Sequence, residues 1–181
     1  AKYNFPGRNL IYAVAISIML IPTIGSTSAT YKLINDLGLY DNYIALILLY
    51  SGGFGFQFLL LHGVFKSISW QYAEAAYMDG ASEFKLLTKI MFPMVSTVFT
   101  TVLLINFIGL WNDYQTPMLY LPTHPTLAFG IFDLSRTTIN ELSNVPARMA
   151  GCVILLVPIL IIFIAFRKKI MGNLTLGGVK E

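Results

Sequence analysis

Two sets of polar residues stand out in a chain of 181 residues that is 56% hydrophobic and 12% charged. The first is compact. Glu74, Ala75, Ala76, Asp79, Gly80, Ala81 and Ser82 lie in Glu74 to Pro93, the most polar segment inside an otherwise strongly apolar chain, with long apolar runs on both sides. A carboxylate such as Glu74 can take a charge-assisted bond from the Arg or Lys of another protein. The second set is scattered: Gln57, His62, Asn106, Asn112 and Asp113 lie within apolar runs or at their ends. At membrane depth such groups are costly unless they face a cavity or a partner, so they are candidates for lining a solute path, with Phe54, Phe58 and Phe107 offering aromatic faces nearby. Each also has a plainer reading. Gln57 and Asn106 can hydrogen-bond between helices, Trp111 with Tyr114 can form an interface belt, and Gly52, Gly53 and Gly55 can allow close helix packing. His62 has no acidic neighbour in sequence to make it a proton relay or metal ligand.

Bond-making chemistry has no foothold. The sequence contains no G-x-x-x-x-G-K-[ST] phosphate loop, no G-x-S-x-G elbow and no H-E-x-x-H pair. Cys152 is the single cysteine, so no intrachain disulfide forms, and no Cys/His cluster has metal-ligand spacing. The expectation is a chain that is not an enzyme, with no catalytic residue, metal or cofactor of its own.

The elements that must position these residues follow from composition. Soluble domains carry about 25% charged residues, roughly twice the share found here, so lipid must replace water over much of the surface; the competing class is an unusually apolar soluble domain. The net charge of +3 comes from scattered basic residues, which gives no footing for nucleic acid. A spanning helix needs about 20 mostly apolar residues, because hydrocarbon satisfies no backbone polar group. Four segments qualify, at about 10–31 (broken by Pro22 and Gly25), 43–65 (with glycines at its middle), 91–111 and 149–166. The predicted fold is all-α and integral to the membrane, a bundle of about four transmembrane helices forming one domain over 1–181.

Orientation follows from Lys and Arg. With a cytoplasmic N-terminus, the inner side holds Lys2, Arg8, Lys66, Lys85, Lys89, Arg167, Lys168, Lys169 and Lys180, and the outer side only Lys32, Arg136 and Arg148. Nine against three puts 69–90 and both termini in the cytoplasm, with a long outer loop at 112–148. That loop carries Pro117, Pro122, Pro125 and Pro146, which oppose one continuous helix; its apolar part, Leu127 to Leu134, is expected to pack near the membrane face. A different reading of the first segment is a secretory signal peptide, with Lys2 and Arg8 ahead of an apolar run and Ser26-Thr27-Ser28-Ala29 after it.

Within 69–90, Ser69 is the expected N-cap of a first helical piece, and Gly80 permits a bend that a β-carbon would hinder. A second piece, Ser82 to Ile90, leads to Pro93 in the first turn of the third span. Ala73, Ala76, Tyr77 and Ala81 share one face, with small side chains that let another backbone approach. The alternative is an amphipathic helix resting on lipid.

Glu74, Ala75, Ala76, Asp79, Gly80, Ala81, Ser82, Ile90 and Pro93 fall at the spacing of the cytoplasmic EAA loop, and this stretch resembles that loop of binding-protein-dependent ABC importer permeases. Gly38-Leu39 with Asp41, Trp111-Asn112-Asp113 with Pro117 and Leu121, Phe5-Pro6-Gly7-Arg8, and the tail Leu174 to Lys180 resemble the carbohydrate, maltose-type members. Ser69 stands where that family often has proline, and Gln71 where it often has an acid. The resemblance implies a permease subunit in a bacterial or archaeal cell (inner) membrane, importing a sugar or related solute. It implies a cytoplasmic ATP-binding subunit that binds and hydrolyses the ATP, a second permease subunit, and an extracytoplasmic solute-binding protein, with the 69–90 loop as a two-piece coupling helix. Such permeases usually have six spans, so the expectation here is a chain lacking its first two. From other classes, a secondary transporter or channel fragment, or a membrane scaffold subunit without a pathway, would also fit an apolar helical chain with breaks near Pro22 and Gly52.

Overall fold

A computed structural model describes residues 1–22, 24–52, 55–136 and 144–171; Gly53, Phe54 and the tail from Leu174 to Lys180 lie outside them. The described residues form α-helices joined by short turns. The chain divides into two compact units, 1–22 with 53–103 and 167–181, and 23–52 with 104–166.

The first unit contains α1 (Arg8–Leu20), α4 (Phe56–Ser67), α5 (Gln71–Met78), the single turn α6 (Glu83–Lys85) and the beginning of α7 (Phe92–Asn112). Its core is a small cluster in which Ala73, Ala76, Leu86 and Met91 are buried, with Phe65, Ala81 and Ile90 packed against them. The second unit contains α2 (Ser26–Asp36), α3 (Tyr43–Tyr50), the rest of α7, α8 (Gln115–Tyr120), α9 (Leu127–Arg136) and α10 (Val145–Met171) as far as Phe166. Here Ile34, Ala45, Leu46, Tyr120 and Leu121 form the core. α9 meets α10 where Gly151 lies under Ile131: a β-carbon at Gly151 would come within 3.1 Å of Ile131 Cγ1.

Among the described residues, two helices are long and apolar enough to cross a membrane, Glu83–Asn112 with 30 residues and Val145–Lys168 with 24. At 1.5 Å per residue they extend roughly 45 and 36 Å, against a hydrocarbon core of about 30 Å. On α10, Val153, Ile154, Leu156, Val157, Leu160, Ile161, Phe163 and Ile164 are all exposed in the isolated chain, an apolar surface suited to lipid or another subunit. Hydroxyls within α7 are satisfied locally, Thr100 donating to the Ser96 carbonyl at 2.7 Å and Thr101 to that of Thr97 at 3.0 Å.

The other two apolar segments are not continuous helices. The 10–31 segment is divided into α1 and α2, because Pro22 lacks an N–H and Gly25 adopts φ +82. The 43–65 segment is divided into α3, which ends at Tyr50, and α4, which begins at Phe56. Within 112–148, Gln115–Tyr120 and Leu127–Arg136 are helical, the latter including Leu127 to Leu134.

Candidate functional site

The stretch from Ser69 to Met91 is built from local signals. Ser69 Oγ accepts the Gln71 N–H at 3.3 Å, but the N-cap position of α5 is held by Trp70, so the serine stands one residue further out than expected. At the other end Gly80 has φ +72, its N–H donates to the Tyr77 carbonyl at 2.9 Å, and the Ala81 N–H donates to the Ala76 carbonyl at 2.9 Å. That pair of bonds is a Schellman ending, with Ala76 and Ala81 making the apolar contact that accompanies it. Ser82 then begins the next helix, its Oγ accepting the Lys85 N–H at 3.4 Å. Two helical pieces joined at a bend are therefore written into Ser69, Gly80 and Ser82.

The second piece does not stop before the third apolar segment. Leu86–Met91 winds as a π-helical turn that runs directly into α7, and the Phe92 N–H reaches five residues back to the Leu87 carbonyl. The wider turn lies just upstream of Pro93, whose missing N–H would otherwise interrupt an α-helical ladder. Pro93 thus stands in the first turn of α7, as its position in the sequence leads one to expect, and the π turn joins that helix to Glu83 without a break.

The orientation of α5 also differs from the expectation. Ala73 and Ala76 are 0% and 4% exposed, packed on Leu86 and Met91 of the same chain, so the small-residue face is already occupied. The opposite side carries Tyr72, Glu74, Ala75 and Met78, with Asp79 and Gly80 beyond it, all exposed. Met78 at 88% and Phe84 at 76% are among the most exposed large apolar side chains of the described residues. Small size at 3–4 spacing marks a close-packing face, but it does not say whether the packed neighbour is foreign or the chain itself.

A feature with no sequence signal completes this region. Glu83 accepts hydrogen bonds from two phenols, Tyr77 at 2.8 Å and Tyr3 from 80 positions away. These bonds push the Tyr77 and Tyr3 hydroxyls above their usual titration range, with Glu83 the leading cause in each. Trp70 stands edge-on to Tyr3 at 5.9 Å and to Tyr77 at 6.4 Å, and Lys2 Nζ donates to the carbonyls of Lys66 and Ile68. The segment ahead of α1 is therefore clasped to the bend.

The scattered polar residues fall in different units. In the first, Gln57 is exposed on α4, and the half-buried His62 lies with its ring 4.6 Å from that of Tyr12 and 6.2 Å from Phe58. It borders a cavity of about 430 Å³ that also includes Arg8, Phe65 and Leu87. In the second, Asn106 is exposed on α7, and the Asn112 amide donates to the Ile108 carbonyl at 2.8 Å. Asp113 accepts from Tyr50 Oη at 2.9 Å and from the Thr116 N–H at 3.0 Å, which anchors the start of α8. Asn112 and Asp113 thus have local structural partners. Among the described residues no group of His, Cys, Asp and Glu could hold a metal ion.

The family model described as "Binding-protein-dependent transport system inner membrane component" matches residues 1–171. The chain belongs to this family. Among its relatives, the arabinooligosaccharides transport system permease protein AraQ of Bacillus subtilis is 30% identical over 190 residues, covering 99% of this chain and 63% of the relative. The diacetylchitobiose uptake system permease protein NgcG of Streptomyces coelicolor is 27% identical, covering 98% and 59%, and the trehalose transport system permease protein SugB of Mycobacterium tuberculosis is 26% identical, covering 99% and 66%. This inner membrane component spans about three fifths to two thirds of the length of these curated relatives.

Proposed function

We propose that the chain is part of the permease subunit of an ABC importer, moving a sugar or related solute across the cell membrane with ATP hydrolysed by a partner subunit. The observation that carries the reading is the family match over residues 1–171. Relatives named for arabinooligosaccharides, diacetylchitobiose and trehalose support a saccharide as the solute class. Breaks in the first two apolar segments are also features of secondary transporters, and family membership favours the importer.

In this reading the bend at Gly80 is the coupling site, and 69–90 faces the cytoplasm together with the termini, as the Lys and Arg distribution supports. Glu74, Ala75, Met78 and Asp79 are the exposed groups that would meet the ATP-binding subunit; Ala76, Ala81 and Ser82 shape the bend behind them. Closure of the ATPase dimer on ATP would favour one docked position of α5, shifting the permease between inward- and outward-open states. A second permease subunit and an extracytoplasmic binding protein complete the assembly, and Gln57, His62, Asn106, Asn112 and Asp113 are its solute-path candidates. ATP is bound by the partner alone.

Crosslinking tests this reading. In membranes holding the full-length permease and its ATP-binding subunit, a photoreactive residue at Met78 should crosslink to the ATPase, and one at Leu160 on α10 should not. Capture at neither position, with both subunits present, would remove the coupling assignment.

A further inference from the structure

The second unit holds a cavity that the coupling site does not use. It measures about 360 Å³ and is lined by Thr27, Ser28, Tyr31, Tyr40, Met118 and Leu119. Tyr31 stands between two other tyrosines, its ring centroid 5.6 Å from Tyr40 with the planes at 78°, and 6.2 Å from Tyr120 with the planes at 40°. Tyr120 is buried in the core, with its hydroxyl 3.5 Å from the Thr27 carbonyl, so it forms a fixed back to the group. Tyr31 and Tyr40 are 36% and 39% exposed and line the open side.

The chemistry of this lining is selective. Four hydroxyl groups from Thr27, Ser28, Tyr31 and Tyr40 each both donate and accept hydrogen bonds, and two aromatic rings offer flat apolar surface beside them. None of the six lining residues is charged, so neither an anion nor a cation finds a counter-charge. The Tyr31 and Tyr40 hydroxyls bond each other, and an acyl chain would offer none of the four a further partner. A saccharide ring, with apolar C–H faces and a rim of hydroxyls, uses both kinds of surface, and the volume lies in the range of small-molecule sites. We propose that Thr27, Ser28, Tyr31 and Tyr40 form a binding subsite for one ring of a neutral saccharide. The proposal rests on the import reading and deepens it.

Site-directed labelling in the assembled, full-length transporter separates the two. With Cys152 replaced by Ser, Ser28→Cys and a control Asn144→Cys are labelled with a maleimide in the presence of trehalose, maltose, diacetylchitobiose or arabinotriose, and uptake of each sugar is measured in parallel. A transported sugar should slow labelling at Ser28→Cys roughly fivefold or more at saturation, leave the control unchanged, and lose this protection when Tyr31→Ala is added; Tyr31→Phe, which keeps the ring, should retain part of it. Import of a sugar with no protection at Ser28→Cys overturns the subsite and leaves the import reading standing. A cysteine that is unreactive before sugar is added marks the cavity as covered by another subunit, which also overturns it. Import of none of the four sugars removes the saccharide reading, and the subsite falls with it.

Discussion

Asp41 and Thr123, 82 positions apart, are joined twice: one carboxylate oxygen accepts the Thr123 N–H at 3.1 Å and the other accepts its hydroxyl at 2.6 Å. The His124 ring lies 3.7 Å from the same carboxylate, and the Asp41 N–H donates to the Tyr120 carbonyl at 3.0 Å. Asp41 is also the one non-glycine among the described residues with positive φ, at 59°. That conformation is disfavoured for most side chains and tolerated best by Asn and Asp. The tie thus fixes the turn between α2 and α3 to the turn after α8, and holds Asp41 in a backbone state it would not adopt by preference.

The bonds from Thr123, with a smaller contribution from His124, keep the Asp41 carboxyl below the usual aspartate range. The stabilisation is therefore fully present above the unfolded value of about 4, and is lost as the pH falls through the depressed folded value. Thermal unfolding of the full-length protein in detergent should show a drop in Tm between pH 6 and pH 3. The drop should be smaller in Asp41→Asn, which keeps the turn conformation and has nothing to titrate. Equal drops in the two proteins would mean that this carboxylate does not contribute.

Trp111 makes a second long-range tie. Its indole Nε1 donates to the Leu155 carbonyl of α10 at 3.1 Å while the ring stacks on Phe107 at 5.7 Å. Pro158 has no N–H to give the Ile154 carbonyl, and the indole bonds the carbonyl of the next residue, Leu155. Trp111→Phe should keep the stacking, lose the bond, and cost about 0.5–1.5 kcal/mol. Hydrogen exchange along 150–158 should speed up in that variant; unchanged exchange would mean that α10 holds this turn unaided.

Local signals carried the bend and missed the clasp, for physical reasons. Ser69, Gly80 and Ser82 act on backbone groups within a few residues of themselves, so their roles are legible in sequence order. Pro22, Gly25 and Gly52 likewise announce interruptions, though an apolar run still looks like one span until the break is seen. Pro93 was legible as a first-turn residue, but the π turn that joins it to the preceding piece was not, since nothing in the residue types of Leu86 to Met91 distinguishes that turn from ordinary helix. Ala73 and Ala76 were recognisable as a packing face but not as one packed on Leu86 and Met91. Glu83 with Tyr3, and Asp41 with Thr123, depend on tertiary folding over about 80 residues, which periodicity does not encode.

Gly151 permits the close approach of α9 and α10. A β-carbon there would meet Ile131 at 3.1–3.4 Å through three of its carbons, and Ile131, branched at Cβ, has little rotamer freedom to yield. Gly151→Ala should destabilise this contact by about 1–3 kcal/mol, and Ile131→Ala in the same protein should recover part of the loss by opening the space. Denaturation midpoints of the two single variants and the double variant measure the coupling. Simple additivity would place the cost of Gly151→Ala elsewhere.

Gly80 separates backbone conformation from side-chain contact, since no atom lies within 4 Å of where its β-carbon would be. Within the chain, any effect of substitution there comes from φ +72 alone. Gly80→Ala should cost roughly 1–2 kcal/mol, the penalty of a left-handed conformation for an ordinary L-residue, and Gly80→Val more, because branching at Cβ narrows the choice further. Gly80→Asn should lie close to wild type, since asparagine tolerates this region. If the bend aligns α5 for docking to the ATP-binding subunit, solute-stimulated ATP hydrolysis by the full-length transporter should fall in the order Gly, Asn, Ala, Val, while the amount of permease in the membrane stays constant. A Val variant that is fully inserted and still stimulates hydrolysis to the wild-type level would show that the angle between α5 and the helix beginning at Glu83 does not govern coupling.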